Sequence, residues 1–339
     1  MNVTLPRTAV PTATQATEWP TVILFVATYA LWATGTTVLW PLSPALAVLV
    51  TGIAIAQLSS LAHEVLHGHP FRAQFLSEAL VFPATGLVIP YLRFKDTHLQ
   101  HHNDAALTDP YDDPESNYLD PAVWARLPRL AQLILRVNNT LAGRVLIGPL
   151  VGTAIFLVQD LRLALKGDRR VILAWALHLP GLALVLAWLL AVGHMPVWAY
   201  LLAAYLGMAL LKIRTFLEHR AHAAARARTV IVESRGPLSL LFLNNNFHVV
   251  HHMHPSVPWY RLPGLYAARK DHYQRRNEAY VYRSYAEIIR RYLFTAKDPV
   301  PHPIWPVCKG AIGSEDAAEL RGGAGIVEER HAGLVTARH

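Results

Sequence analysis

Charge is missing from two long stretches of this chain, and that absence constrains the fold more than any residue that is present. From Trp19 to Ala62, and again from Val171 to Leu211, there is no Asp, Glu, Lys or Arg. A helix crosses the hydrocarbon core of a bilayer in about 20 residues, so each stretch is long enough for two crossings. Pro41, Ser43 and Pro44 supply a turn within the first, and Gly193-His194-Met195-Pro196 within the second. The prediction is an all-α integral membrane protein whose four transmembrane helices form two hairpins. Composition agrees: of 339 residues only 16% are charged and 53% are hydrophobic, against about a quarter charged in soluble globular proteins.

The flanks supply an orientation. Arg72, Arg93, Lys95, Arg162, Lys166, Arg169, Arg170, Lys212 and Arg214 lie at the ends away from the hairpin tips. The positive-inside rule then predicts that both termini and the middle segment are cytoplasmic. The first apolar stretch is preceded by Arg7 alone and lacks a small-residue cleavage pattern, so it reads as a span and not a cleaved signal peptide. Ala79 to Leu92, broken by Pro83, Gly86 and Pro90, is too short to cross and reads as a re-entrant or interfacial segment. Gly143 to Leu161 contains Arg144 and Gly148-Pro149 and reads as a helix lying on the surface. The predicted organisation is an N-terminal tail at 1–18, a membrane domain at 19–300 and a disordered tail at 301–339, rich first in Pro and then in Gly, Ala and charge.

The chain holds 18 His and a single Cys. One Cys excludes a disulfide framework, a thiolate zinc site and a ferredoxin-type cluster built from this chain alone. The net charge of +8 argues for nucleic acid only where Lys and Arg run along helix faces, and here they avoid long stretches, so no nucleic-acid partner is expected. Twelve of the His fall into four clusters, all on the predicted cytoplasmic side. His63-Glu64-Val65-Leu66-His67 closes the second span, with His69 beyond. His98-Leu99-Gln100-His101-His102 follows the short apolar segment. Glu218-His219-Arg220-Ala221-His222 closes the fourth span, and His248-Val249-Val250-His251-His252 comes later, with His254 beyond.

Residues four apart share a helix face, so His63 and His67 can reach one metal. An HxxHH motif can give two ligands to one ion and a third to its neighbour. Imidazole is a common ligand for zinc, copper, iron and nickel. Two HxxHH motifs, one HxxxH and one His from the remaining cluster exceed the four ligands of a tetrahedral ion, so the pattern asks for two metals. His178, His194, His272, His302, His331 and His339 stand alone and read as ordinary surface or hydrogen-bonded residues. His63 to His67 is also literally HExxH, in which Glu64 would act as base on a zinc-bound water. That reading leaves the other clusters without a role. A His-rich metal transporter is the third reading, but it should place ionisable groups at bilayer depth, where only His178 qualifies.

The order HxxxH, HxxHH, HxxHH around two hairpins resembles the membrane fatty acid desaturase superfamily, which includes acyl hydroxylases and carotenoid ketolases. The likeness extends over residues 19 to 285, with Asn244-Asn245-Asn246-Phe247 before the last box and His254-Pro255 and Val257-Pro258-Trp259-Tyr260-Arg261-Leu262-Pro263 after it. The resemblance implies a non-haem centre of two iron ions, dioxygen as co-substrate, and C–H attack on a long acyl or isoprenoid chain. It implies iron binding by His63, His67, His98, His101, His102, His248, His251 and His252. A ninth ligand is implied at the end of the last span, where His219 is chosen and His222 is the alternative. His69, His222 and His254 are left as possible ligands or companions. Where acyl-CoA members carry an Asn four residues before the ninth His, this chain has Thr215 before His219 and Glu218 before His222.

The third box opens with His248 and not Gln, unlike front-end desaturases, and no HPGG stretch signals a fused cytochrome. Electrons must then come from a separate donor, ferredoxin-like or a b-type cytochrome. Arg269, Lys270, Arg275, Arg276, Arg290 and Arg291 suit either an acidic carrier or anionic lipid. A ligating His gives its second ring N–H to a carboxylate or carbonyl, which nominates Glu64, Asp104, Asp109, Asp112 and Glu218. Asp109 to Pro114 reads equally as a polar turn. Asn244 to Asn246 are expected to cap the helix of the third box. The leading expectation is desaturation of a long-chain acyl lipid, with hydroxylation or ketolation by the same centre as its rival.

Overall fold

The computed structural model describes residues 17–305, so the expected tails lie outside the described residues except for Thr17, Glu18 and Pro301 to Trp305. Pro301 pairs with Leu119, and the His302 N–H donates to the Leu119 carbonyl at 2.8 Å. The fold is mostly helical. Its main elements are α1 (Trp19–Thr36), α2 (Pro44–Leu66), α3 (Tyr91–His101), α4 (Arg129–Asn138), α5 (Gly148–Leu165), α6 (Arg169–Ala191), α7 (Val197–Thr215), α8 (His248–Met253) and α9 (Tyr285–Tyr292). A two-stranded parallel sheet pairs β1 (Ile231–Val232) with β2 (Val281–Tyr282), Ile231 opposite Val281.

Among the described residues four helices, α2, α5, α6 and α7, are long and apolar enough to cross a membrane. This set corrects the expectation of two hairpins in two places: α1, expected as the first span, is not in it, and α5 is. The segment assigned to a surface helix becomes α5, which continues past Leu161 to Leu165 and carries only Asp160 and Arg162 as charged residues. The exposed amphipathic stripe belongs instead to α4, where Leu130, Leu133, Ile134 and Val137 all face outward. Charge-free α1 packs along α2 and is not among the four; Trp19, Pro20, Thr21, Thr28, Thr34 and Thr36 punctuate its apolar run. The Thr28 and Thr36 hydroxyls are satisfied within the helix, donating to the Leu24 and Trp32 carbonyls.

Helix ends follow their local chemistry. The Ser43 hydroxyl accepts from the Leu46 N–H ahead of α2, whose first residue is Pro44. Asp168 accepts from the Arg170 and Val171 N–H groups at the start of α6. The segment expected to be re-entrant runs irregularly against α1, α6 and α7. Its carbonyls are satisfied there, Leu80 by the Tyr29 hydroxyl, Thr85 by Tyr200 and Leu87 by His178 Nε2. Irregular backbone among apolar helices requires such partners, and this is the ordinary role of His178.

Helices α2 and α7 meet through glycine. A Cβ on Gly52 would lie 3.0 Å from the Ala203 carbonyl, and one on Gly207 would lie 2.9 Å from Ile55 Cγ2. The pairing advances in the same direction along both helices, so their C-termini, carrying His63 and preceding His219, lie at one end. That close approach brings distant His clusters together. Helix α3 is anchored from its own side: the buried Arg93 guanidinium makes a bidentate ion pair with Asp160 of α5, and Trp175 Nε1–H of α6 donates to the same carboxylate. Beyond the helices, Phe216, Leu217, Val230, Val232, Phe242, Tyr285 and Ile288 form a core under the sheet and α9, each such burial contributing about 1.5–3 kcal/mol. Against that core the Val249 N–H donates to the Val230 carbonyl and Asn246 Nδ2–H to Val232, which fixes the start of α8.

Candidate metal centre

The four clusters arrive at one place. His63 sits in the last turn of α2 and His67 caps its C-terminus; His98 and His101 end α3 and His102 caps it; His219 pairs with Thr229 just after α7; and α8 carries His248, His251 and His252. Their ring nitrogens form two groups, each able to hold a metal ion. His63, His67, His98, His102 and His251 make one, and His101, His219, His248 and His252 make the other, with the ligand atoms of each group within 4.8 Å of one another. These are the same residues nominated from the sequence, including His219 in place of His222. In each HxxHH box it is the first and third His that share a group, while the middle one crosses to the neighbour.

The outward nitrogens are held by oxygen acceptors. His98 Nδ1 faces Glu115 Oε1 at 3.0 Å, His101 Nδ1 faces Asp113 Oδ1 at 2.8 Å, His248 Nδ1 faces Asn245 Oδ1 at 2.9 Å, and His252 Nδ1 faces Asp104 Oδ1 at 3.1 Å. Protons on these Nδ1 atoms leave bare lone pairs on Nε2, and those lone pairs converge. His219 Nε2 lies 2.8 Å from His101 Nε2 and 3.1 Å from His248 Nε2. His102 Nε2 lies 3.0 Å from His98 Nε2 and 3.2 Å from His251 Nε2. One proton cannot serve three converging nitrogens. In addition His63, His67 and His252 each bury an Nε2 with no hydrogen-bond partner, which costs about 1–3 kcal/mol apiece if nothing compensates it. A cation in each group resolves both problems, so the residues fit a metal.

Electrostatics point the same way. Burial first, and neighbouring imidazoles second, hold His67, His102, His219, His248 and His251 below the usual histidine range, in the neutral form that binds metal. His101 is the exception. Burial opposes its charged form, but Glu115, Asp113 and Glu218 outweigh that and raise it to about 9. Positive charge is therefore favoured at this ring.

Other nominated residues fall elsewhere. His69 Nδ1 is 2.7 Å from Glu18 Oε1, His222 Nε2 is 3.4 Å from Glu278, and His254 packs beside Tyr273. None of them joins either group. Glu64 Oε2 accepts from the Trp259 N–H at 3.0 Å, and its Oε1 is 3.7 Å from His63 Nδ1. Glu218 pairs with Arg214 at 2.9 Å and stands 3.9 Å from His248 Nδ1. Asp109 closes a turn, accepting from the Tyr111 and Asp112 N–H groups, and Asp112 is exposed. The three Asn do not cap α8, which has no side-chain cap. Asn245 holds His248, Asn246 holds β1, and Asn244 Nδ2–H donates to the Trp259 carbonyl. Sequence reasoning missed Asp113, Glu115 and Asn245. The acid-rich run after the second box was the available signal for the first two.

The family model described as fatty acid desaturase matches residues 38–284. No curated protein matches the chain.

Proposed function

Because this chain belongs to the fatty acid desaturase family, we propose that it desaturates a long-chain fatty acyl lipid in an oxygen-dependent reaction at two iron ions. The family makes it an oxidoreductase-type enzyme with an apolar lipid substrate, and its four apolar helices make it an integral membrane protein. The observation that carries the reading is the division of the imidazoles into adjacent groups of five and four, each lined by converging Nε2 lone pairs. The proposed ligands are His63, His67, His98, His102 and His251 for one ion and His101, His219, His248 and His252 for the other. Bound there, reducible iron would supply dioxygen activation and the oxidising power to break an unactivated C–H bond.

The chain's own residues prepare that chemistry. Asp113, Glu115, Asn245 and Asp104 hold a proton on the Nδ1 of their partner rings, which fixes tautomer and ring direction and strengthens the ligating nitrogen. Burial of His63, His98, His101, His248 and His251 excludes bulk water from the centre. Acyl chains would reach it laterally through the bilayer along the apolar helices. Electrons would come from a separate ferredoxin-like protein or b-type cytochrome, with the centre and both termini on the cytoplasmic side.

The zinc-hydrolase reading is disfavoured by Glu64. Its carboxylate lies on the Nδ1 side of His63 and is engaged by the Trp259 N–H, whereas a base for metal-bound water should face the converging nitrogens. Two measurements test the proposal. Metal analysis of protein purified in detergent should find two iron per chain; stoichiometric zinc in its place would overturn the assignment. Mass spectrometry of lipids from expressing cells should find products lacking two hydrogens, whereas products gaining one oxygen would identify a hydroxylase.

A further inference from the structure

One carboxylate beside the centre differs from the others in the nitrogen it faces. Asp113, Asp104, Glu64 and Glu218 all approach Nδ1 atoms, the outward side of the rings. Glu115 does this with one oxygen only. Its Oε1 holds His98 Nδ1 at 3.0 Å in the five-imidazole group, while its Oε2 lies 4.0 Å from His101 Nε2, a converging nitrogen of the four-imidazole group.

Two donors to one ion can be no farther apart than twice a metal–ligand distance, about 4.2 Å, and this pair falls inside that limit. The loop also holds the carboxylate ready. Asp113 Oδ1 accepts from the Glu115 N–H at 2.9 Å, and Asp113 Oδ2 accepts from the Thr108 N–H at 2.8 Å. The same Asp113 holds His101, so ring and carboxylate are fixed by one residue. The donor count leaves room as well, since this group has one imidazole fewer than its neighbour and first-row ions in oxygen-activating sites commonly mix imidazole with carboxylate.

We propose that Glu115 is an oxygen donor to the cation held by His101, His219, His248 and His252, through Oε2, while Oε1 orients His98 in the other group. A single carboxylate thereby joins the two sites. This inference rests on the two-metal reading above.

Cobalt(II) titration of the metal-free full chain in detergent tests it without reference to turnover. Wild type should bind two equivalents. Glu115→Gln keeps a carbonyl oxygen for the His98 Nδ1–H but removes the charged donor. It should intensify the visible d–d bands of the equivalent held by His101, His219, His248 and His252, as loss of a donor moves cobalt towards four-coordination. The other equivalent loses only the charge of an outer acceptor on His98; it keeps its bands and weakens by at most about 10–100-fold. Bands superimposable on wild type for both equivalents, whatever the change in affinity, would confine Glu115 to His98 and overturn the proposal. Should Glu115→Gln fail to accumulate as folded protein, Glu115→Asp, with its carboxylate one methylene short, must show the same change in the bands of one equivalent. Fewer than two equivalents in wild type would refute the two-metal reading, and this proposal with it.

Discussion

Removing the Asp160 carboxylate should disable both halves of the centre, although Asp160 touches neither. It accepts from Arg93 Nε at 2.9 Å and Nη2 at 2.9 Å, and from Trp175 Nε1–H at 2.9 Å. Arg93 and Asp160 are 8% and 2% exposed, so water cannot replace the lost partner. Asp160→Ala leaves a buried guanidinium unpaired, which costs about 3–5 kcal/mol, and an indole N–H without an acceptor, which adds about 1 kcal/mol. A total near 4–6 kcal/mol is roughly three to four powers of ten in the folding equilibrium. Arg93 lies in α3, the helix that gives His98 and His102 to one group and His101 to the other. Denaturant unfolding in detergent should show the destabilisation, and metal analysis should show loss from both groups together. Arg93→Met combined with Asp160→Leu replaces the pair by apolar groups of similar volume and should recover most of the stability. An Asp160→Ala protein within about 1 kcal/mol of wild type, the range of an exposed pair, would refute the reasoning. So would a double variant no more stable than the single one.

Three further outcomes follow from individual contacts. His101→Ala should abolish product while the protein stays in membranes, with one metal equivalent lost and the other retained by metal analysis. Asp104→Asn removes the charged acceptor on His252 Nδ1 and should weaken metal in the four-imidazole group by about 10–100-fold, read by competition with a chelator. Gly207→Val places a side chain where a Cβ already meets Ile55 Cγ2 at 2.9 Å and the Gly52 carbonyl at 3.0 Å. It should cost about 1–3 kcal/mol in denaturant unfolding, with an unchanged ratio of the two metals in the protein that folds.

Much of this was legible in the sequence because its signals are local. Missing charge marks apolar helices whatever their partners, and i, i+4 spacing marks a shared face on any helix. Missing charge located α2, α6 and α7 but not α5, which carries Asp160 and Arg162. Spacing within the boxes marked eight of the nine imidazoles, while His219 came from the family resemblance. Where the reading failed, the deciding interaction was long-range or a matter of degree. Asp113 and Glu115 follow His101 by more than a helical turn, and only the turn closed by Asp109 returns them to the rings. Asp109 itself carries the same chemistry in the same run and is spent on that turn. Arg144 and Gly148-Pro149 suggested an interrupted surface segment. In the fold, Arg144 belongs to a separate short helix, Leu141–Leu146, and Pro149 sits at the start of α5, where proline is tolerated.

The division into five and four imidazoles follows from helix geometry. At about 100° per residue, positions i and i+4 are about 40° apart, while i+3 lies about 60° to the other side of i. An HxxHH helix placed between two ions must therefore direct its first and third His to one ion and its second to the other. Helix α3 gives its pair to the group containing His63 and His67, and α8 gives its pair to the group containing His219. Two such boxes contribute equally to both ions, so the inequality comes from what remains: the i, i+4 pair at the end of α2 against the single His219 after α7. That shortfall lies on the side towards which Glu115 turns its second oxygen. The sequence pattern that gathers two groups of imidazoles thus also makes them unequal, and under the proposed two-metal reading a reaction that treats its ions differently would draw on that inequality.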